Sequence, residues 1–414
     1  MRSQTSRRRL VAGAALPAAL ALTLTSCTTS DEQADGVPPT TASAPASSTP
    51  VETPTPSPTP SPTPTTPTCE SVVAAMDDAE RVGQVFMVGQ TAGQQVGSST
   101  RKLLAEQKIG QVILLENSTA GAAAIRTQTD ALREAAGSPQ QVGLLLAADQ
   151  EGGMVQRLKG PGFDTIPSAV EQAKLSDAEL QASAGTWAGQ LRDAGINANL
   201  APVGDVVPAD VGRANDPIGK LKRGYGDDPA VVAAKDRAFI TGMQQAGIST
   251  SVKHFPNLGQ VLGNTDLTAG VTDSVTTRQD ATQLPFTESI AAGSDMVMIS
   301  TAIYSKIDPG VEAAFSKVVI TDLLRGNLGY DKVVISDDMG AAKQVAKYSP
   351  GQRAVKFFEA GGDVLINGDP SIQPAMNAAV LEKVRTDPAF ADQIAQSATR
   401  VAKLKVGRGL ATCR

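Results

Sequence analysis

The chain has 414 residues, 41% of them hydrophobic and 3% aromatic, and its 37 basic and 42 acidic residues give a formal charge of −5. That length and apolar content can bury a large core. The lack of a basic excess and the scarcity of aromatic rings exclude a nucleic-acid partner.

In chain order the first element is a leader. Arg2, Arg7, Arg8 and Arg9 precede an Ala/Leu-rich run from Leu10 to Leu24, shorter than the roughly 20 apolar residues of a membrane-spanning helix. Residues 1–26 read as a lipoprotein signal peptide. Leu24, Thr25, Ser26 and Cys27 match the bacterial lipobox, in which the thiol is lipidated and cleavage leaves the cysteine first. The alternative is a plain signal peptide with a chance cysteine. Residues 27–66 are rich in Thr, Ser and Pro and close on PTPSPTPSPTPTTPT. Such a stretch cannot bury a core and reads as a disordered, extended tether. The domain is therefore expected outside the cytoplasm, held to the outer face of the bacterial cell membrane by its lipid anchor alone.

Two further cysteines, Cys69 and Cys413, stand at the two ends of the remaining chain. In an oxidising compartment they are expected to form a disulfide, the alternative being two buried thiols. Between them, apolar runs recur at residues 84–89, 111–115, 142–148, 196–202, 250–253, 296–300, 332–336 and 363–367. They are apolar on consecutive positions, as parallel strands covered on both faces are. Ser176 with Glu179 reads as a capping box, Asp228 before Pro229 as a helix start, and Gly195, Gly247, Gly293 and Gly361 as helix ends. Residues 67–414 are thus expected to form one α/β domain, a (β/α)8 TIM-type barrel, with an open doubly wound sheet as the alternative.

In such a barrel the chemistry lies at the C-terminal ends of the strands. Polar residues gather there: Glu116, Asp149, Glu151, Asp205, Lys253, His254, Asp337, Asp338 and Asp369. Several carboxylates with one histidine suit acid/base or nucleophilic chemistry rather than zinc, a carboxylate-only hard-cation site remaining the alternative. No metal and no cofactor are expected. His254, the sole histidine, is either a hydrogen-bonded core residue or part of a site, and Lys253 beside it favours the site.

Three motifs, DQEGGMVQRL from Asp149 to Leu158, KHFP from Lys253 to Pro256 and ISDDMG from Ile335 to Gly340, occur in order at strand ends. Together they resemble glycoside hydrolase family 3, in particular its single-domain bacterial β-N-acetylglucosaminidases. The resemblance covers most of residues 69–413. It implies a retaining mechanism with Asp337 as nucleophile, the adjacent Asp338 being structural, and sugar binding by Asp149, Arg157, Arg223, Lys253 and His254. Met154 replaces an arginine of the family pattern.

The loop after KHFP departs from the pattern. Where that subgroup has Gly-His and later Asp-Ser-His, this chain has Asn257 and Leu258, then Asn264, Thr265 and Asp266. Asp266 takes the place of the acid/base histidine and Asn264 that of its orienting aspartate. A free aspartate near 3.9 needs a rise of about three units, or roughly 4 kcal/mol, to be half protonated at pH 7. The alternatives are another carboxylate, Glu116 or Glu151, as donor, or a protein that binds glycan with little turnover. The resemblance implies an exo-acting β-N-acetylhexosaminidase, a monomer, acting on a small peptidoglycan-derived glycan or muropeptide. A β-glucosidase or phosphorylase of the same family and a muropeptide-binding lipoprotein are the competing functions.

Overall fold

The computed structural model describes residues 66–414, so the leader, Cys27 and the tether lie outside the described residues. The sheet is a closed barrel of eight strands: β1 (Phe86–Thr91), β2 (Gln111–Leu115), β3 (Leu145–Ala148), β4 (Ala198–Asn199), β5 (Ser249–Phe255), β6 (Met296–Ile299), β7 (Val333–Asp338) and β8 (Val364–Asn367). Every strand pairs in parallel with its sequence neighbours, and β1 closes on β8 through Phe86↔Leu365 and Met87↔Ile366. The (β/α)8 barrel is therefore the fold, and the open sheet is not.

Six of the strands, all but β4 and the polar β5, are apolar on both sides because each side meets a different core. Met87, Ile113, Leu145, Met298, Ile335 and Ile366 fill the barrel interior, while Phe86, Val112, Leu146, Val297, Val334 and Leu365 pack outward under the helices. Side chains alternate across a strand, so two apolar layers make a continuous apolar run.

All eight expected strands form, with shifted ends. β1 begins two residues later than its apolar run because Asp78–Gln84 is helical, started by a capping box of Asp77 and Glu80. β4 keeps two residues of its run. Its last residue, Asn199, exchanges side-chain hydrogen bonds with the Gln150 backbone, and beyond it Pro202 has no N–H for the ladder.

The helix signals hold as well. Four helices matter below: α1 (Cys69–Ala74), α2 (Asp177–Asp193), α3 (Pro229–Gln245) and α4 (Pro388–Val406). Ser176 and Glu179 form the expected capping box of α2, and Asp228 caps α3. Gly195, Gly247, Gly293 and Gly361 have φ between 83° and 103°, the left-handed conformation of a helix end.

Cys69 and Cys413 are disulfide-bonded with their Cα atoms 4.8 Å apart. Backbone bonds from Cys69 to Arg414 (3.1 Å) and from Arg414 to Pro67 (3.0 Å) join the same two ends. They meet at the N-terminal face of the barrel, where Val401 and Leu404 of α4 plug the interior. The open mouth is at the other face.

Candidate active site

The mouth is built from strand ends and the loops that follow them. A cavity of about 220 Å³ is lined by Asp149, Arg157, Arg223, Lys253, His254, Asn264, Asp266, Asp337 and Asp338, over a floor of Ile113, Leu200, Met298 and Ile366. All eight site residues expected from the sequence, with Asp338 beside them, reach one cavity. A larger cavity of about 720 Å³ lies at the opposite face, between α1, α4 and the starts of β6 and β7. It contains none of these residues, and Lys403 and Glu70 on its wall are already paired at 2.7 Å. The chemistry belongs to the smaller one.

The DQEGGMVQRL stretch folds back as a short hairpin, Gln150–Gly152 against Val155–Gln156. Gly152 turns at φ 112°, and a Cβ there would stand 2.2 Å from the Pro167 carbonyl oxygen, so only glycine fits. Gln150 and Gln156 are scaffolding. The Gln150 amide group exchanges hydrogen bonds with the Leu158 backbone at 2.8 and 3.0 Å, and Gln156 fastens Ile166 and Asp164. Met154 points away from the cavity and is 62% exposed, so it does not take over a polar contact.

Between them this hairpin and β5 make an ion-pair cluster. Lys253 Nζ lies 2.6 Å from Asp149 Oδ1 and 2.7 Å from Glu151 Oε1, and Arg223 grips both Glu151 oxygens at 2.8 Å. Burial alone would raise the Glu151 pKa, but the charges of Arg223 and Lys253 overcome it and hold the carboxyl far below the usual range. Burial would likewise lower Lys253, and Asp149 and Glu151 reverse that and raise it. Glu151 is thus fixed as a carboxylate and cannot donate a proton. Glu116, the other alternative donor, is exposed and lies outside the cavity lining.

His254 is held from behind. The backbone of 201–204 continues alongside β5 past β4, with Lys253 N–H bonded to Pro202 O and Gly204 N–H to Lys253 O. That brings the fully buried Asp205 against the ring. Asp205 accepts from His254 Nδ1 at 2.7 Å and from the backbone N–H groups of His254 (3.1 Å) and Leu258 (2.6 Å). With Nδ1 so occupied, Nε2 is the ring nitrogen left for the cavity. Both readings of the histidine therefore hold at once: it is buried and hydrogen-bonded, and it lines the site.

At the end of β7 the two aspartates differ. Asp338 Oδ1 accepts from the N–H groups of Gly340 (2.7 Å), Ala341 (3.2 Å) and Gly368 (2.9 Å), which ties β7 to the turn after β8. Among the described residues, Asp337 Oδ1 accepts only from the N–H of Asp338, at 2.9 Å, and the group faces the cavity.

The departing loop is well fixed. Asn257 Oδ1 accepts from Val206 and Gly259, and Leu258 is buried in the cavity wall, so this pair is structural. Asn264 Oδ1 accepts from the backbone N–H of Asp266 at 2.9 Å, while Thr265 O and Asp266 O take Gln344 N–H and Lys343 N–H at 3.0 and 3.2 Å. Asn264 therefore positions Asp266 through its backbone, and no protein hydrogen bond to the Asp266 carboxylate occurs among the described residues. Solvent reaches Asp266, yet protein crowds it on most sides. That loss of hydration, then the charges of Asp337 and Asp338, push its carboxyl up to about 6, against the weaker pull of Arg223 and His254.

Comparison with known proteins agrees with this arrangement. Residues 78–404 match the glycosyl hydrolase family 3 N-terminal domain. The chain belongs to glycoside hydrolase family 3. A β-hexosaminidase of Stenotrophomonas maltophilia is 33% identical over 296 residues, covering 70% of this chain and 84% of its own. The crystal structure of a β-N-acetylhexosaminidase from Beutenbergia cavernae superposes with a TM-score of 0.79 at 46% identity, over 80% of this chain and 99% of that one. A family 3 β-N-acetylglucosaminidase from a Paenibacillus species gives a TM-score of 0.75 at 31% identity, over 81% of this chain and 63% of that one.

Two residues do work that the sequence does not assign: Glu151 figures there only as an alternative proton donor, and Asp205 has no role. Glu151 is the hub of the ion-pair cluster, and Asp205 fixes His254. Both were visible as carboxylates after strand ends, but their partners lie 72, 102 and 49 positions away. Only the closed barrel brings those partners together.

Proposed function

We propose that the protein is a retaining exo-β-N-acetylglucosaminidase, with Asp337 as nucleophile and Asp266 as general acid/base. The observation that carries this is the sharing of one small cavity by Asp337 and a second carboxyl, Asp266, pushed up to about 6. A retaining glycosidase needs this division between an ionised carboxylate and a proton donor.

The steps follow from the placement. Lys253, Asp149, Arg157 and His254 hold the hydroxyls of the terminal sugar by charged hydrogen bonds, and the buried Nε of Arg157 has no protein partner to compete. Arg223 and Glu151 keep Lys253 and Asp149 in place. Asp337 attacks the anomeric carbon while Asp266 protonates the departing oxygen, giving a glycosyl ester on Asp337. Esterification removes one of the negative charges that keep Asp266 protonated. The same carboxyl then accepts a proton from water, which attacks the ester and frees the sugar. A cavity of about 220 Å³ with Lys253 and His254 buried at its wall suits a chain end better than a chain middle.

The natural substrates in this reading are sugars derived from peptidoglycan, met outside the cell membrane. The leader, the lipobox at Cys27 and the Thr/Pro tether support that location, and the disulfide suits an oxidising compartment. The direct test is mass spectrometry of the chain quenched during turnover of a 5-fluoro aryl β-N-acetylglucosaminide, which keeps the 2-acetamido group. A sugar adduct on the peptide containing Asp337 is expected, and turnover without an adduct there overturns the assignment.

A further inference from the structure

The loop tip that carries Asp266 reads Val261, Leu262, Gly263, Asn264, Thr265, Asp266, Leu267. Polar backbone bonds hold it down. Asp216 N–H bonds to Leu262 O at 3.1 Å, Gln344 N–H to Thr265 O at 3.0 Å and Lys343 N–H to Asp266 O at 3.2 Å. Val261, 1% exposed, supplies its apolar anchor. Two leucines do neither job: Leu262 is 64% exposed and Leu267 72%.

A single exposed leucine needs no explanation. These two bracket the proton donor. Leu267 follows Asp266 directly and Leu262 stands two positions before Asn264, both neighbours being cavity-lining residues. The backbone of Leu262 is also bonded beside Pro217, another lining residue, so the leucines mark the rim on both sides of Asp266.

The glycosidic oxygen that receives a proton from Asp266 must come within hydrogen-bond reach of it. The sugar fills the cavity beneath, so the leaving group beyond that oxygen has to pass over the loop tip. We propose that Leu262 and Leu267 form the leaving-group subsite, and that the enzyme selects substrates whose leaving group presents an apolar surface next to the glycosidic oxygen, be it the C–H face of a sugar ring or an alkyl or aryl group. This rests on the reading of Asp266 as the donor. The leucines act by taking apolar surface out of water at the moment the bond is cleaved, so they set kcat/KM between substrates that share the same sugar.

Hexyl and methyl β-N-acetylglucosaminide test it, because they share the reacting bond and differ in apolar length. The full chain is expected to show a kcat/KM about tenfold higher for the hexyl compound, the worth of about two buried methylenes. The double substitution Leu262→Ser, Leu267→Ser is expected to bring the ratio near one and leave the methyl compound within about twofold. Val231→Ser, at a 41% exposed position on α3, is expected to change neither rate. Equal wild-type rates, a ratio that survives the double substitution, or a ratio lost equally in Val231→Ser overturns the proposal. So does an equal loss on both substrates in the double variant, which would make the leucines supports of the loop. Wild-type inactivity on both compounds defeats the glycosidase reading itself, and the subsite with it.

Discussion

The two halves of the mouth treat charge in opposite ways. On the hairpin and β5 side, Asp149, Glu151 and Asp205 are each matched by a cation or imidazole, through Lys253, Arg223 and His254. On the side of β7 and the long loop, Asp266, Asp337 and Asp338 crowd together, and no ion pair to any of them occurs among the described residues. Paired charges keep one protonation state across a wide pH range and make a rigid grip. Crowded like charges, on top of lost hydration, make ionisation of Asp266 costlier, so this carboxyl keeps its proton to a higher pH than a free aspartate does. In the proposed mechanism, binding and reaction are thus separated by how charge is balanced, within a single cavity.

Four substitutions break or sharpen that contrast. The largest effect is expected for Asp337→Asn, which removes the proposed attacking carboxylate: kcat on an aryl β-N-acetylglucosaminide falls by at least about 10³-fold with little change in KM. Asp266→Asn comes next. Its kcat/KM should fall about 10²- to 10⁴-fold on substrates with poor alcohol leaving groups and far less on activated aryl ones, a split read by assaying both. Equal activity on both would refute the donor role.

Lys253→Met strikes the paired half. It leaves the half-buried Asp149 without its cation beside Glu151, which keeps Arg223, and a loss of about 3 kcal/mol of stability is expected in denaturant titration, together with a raised KM. The smallest effect concerns pH. Asp266 donates only when protonated, so wild-type kcat/KM on a poor leaving group should decline as pH rises through about 6. Asp338→Asn removes one of the charges that raise this carboxyl, and the decline should move to lower pH by less than about one unit. A shift upward, or none, would show that Asp338 does not feed the crowded half.

The fold was legible because the same residues answer to two demands. Val333, Val334 and Ile335 face the interior and the helix layer by turns, so consecutive apolar residues mark a barrel strand without any alternation. Gly195 and Gly361 end helices because their φ angles are positive, a need that survives any rearrangement around them. The site was legible as far as its motifs ran, which is why Asp149, Lys253, His254 and Asp337 converge as expected. What composition could not show was pairing through space. The position of Asp266 in a loop says nothing of its neighbours, and its raised pKa follows first from lost hydration and then from the carboxylates of β7 lying opposite. Asn264 was expected to touch the Asp266 side chain as the family's orienting residue does. An asparagine two residues back satisfies the backbone N–H instead, the ordinary behaviour of that residue in a turn.

The joined ends of the domain have a mechanical consequence. A pull on the chain at residue 67 enters α1 and passes at once through Cys69–Cys413 into α4, the longest helix among those described here, which already plugs the base of the barrel. The load is shared by two anchored helices at the base and never runs across the strands. The mouth sits at the other, unloaded end of the barrel, so a pull at residue 67 leaves the spacing of its carboxylates untouched.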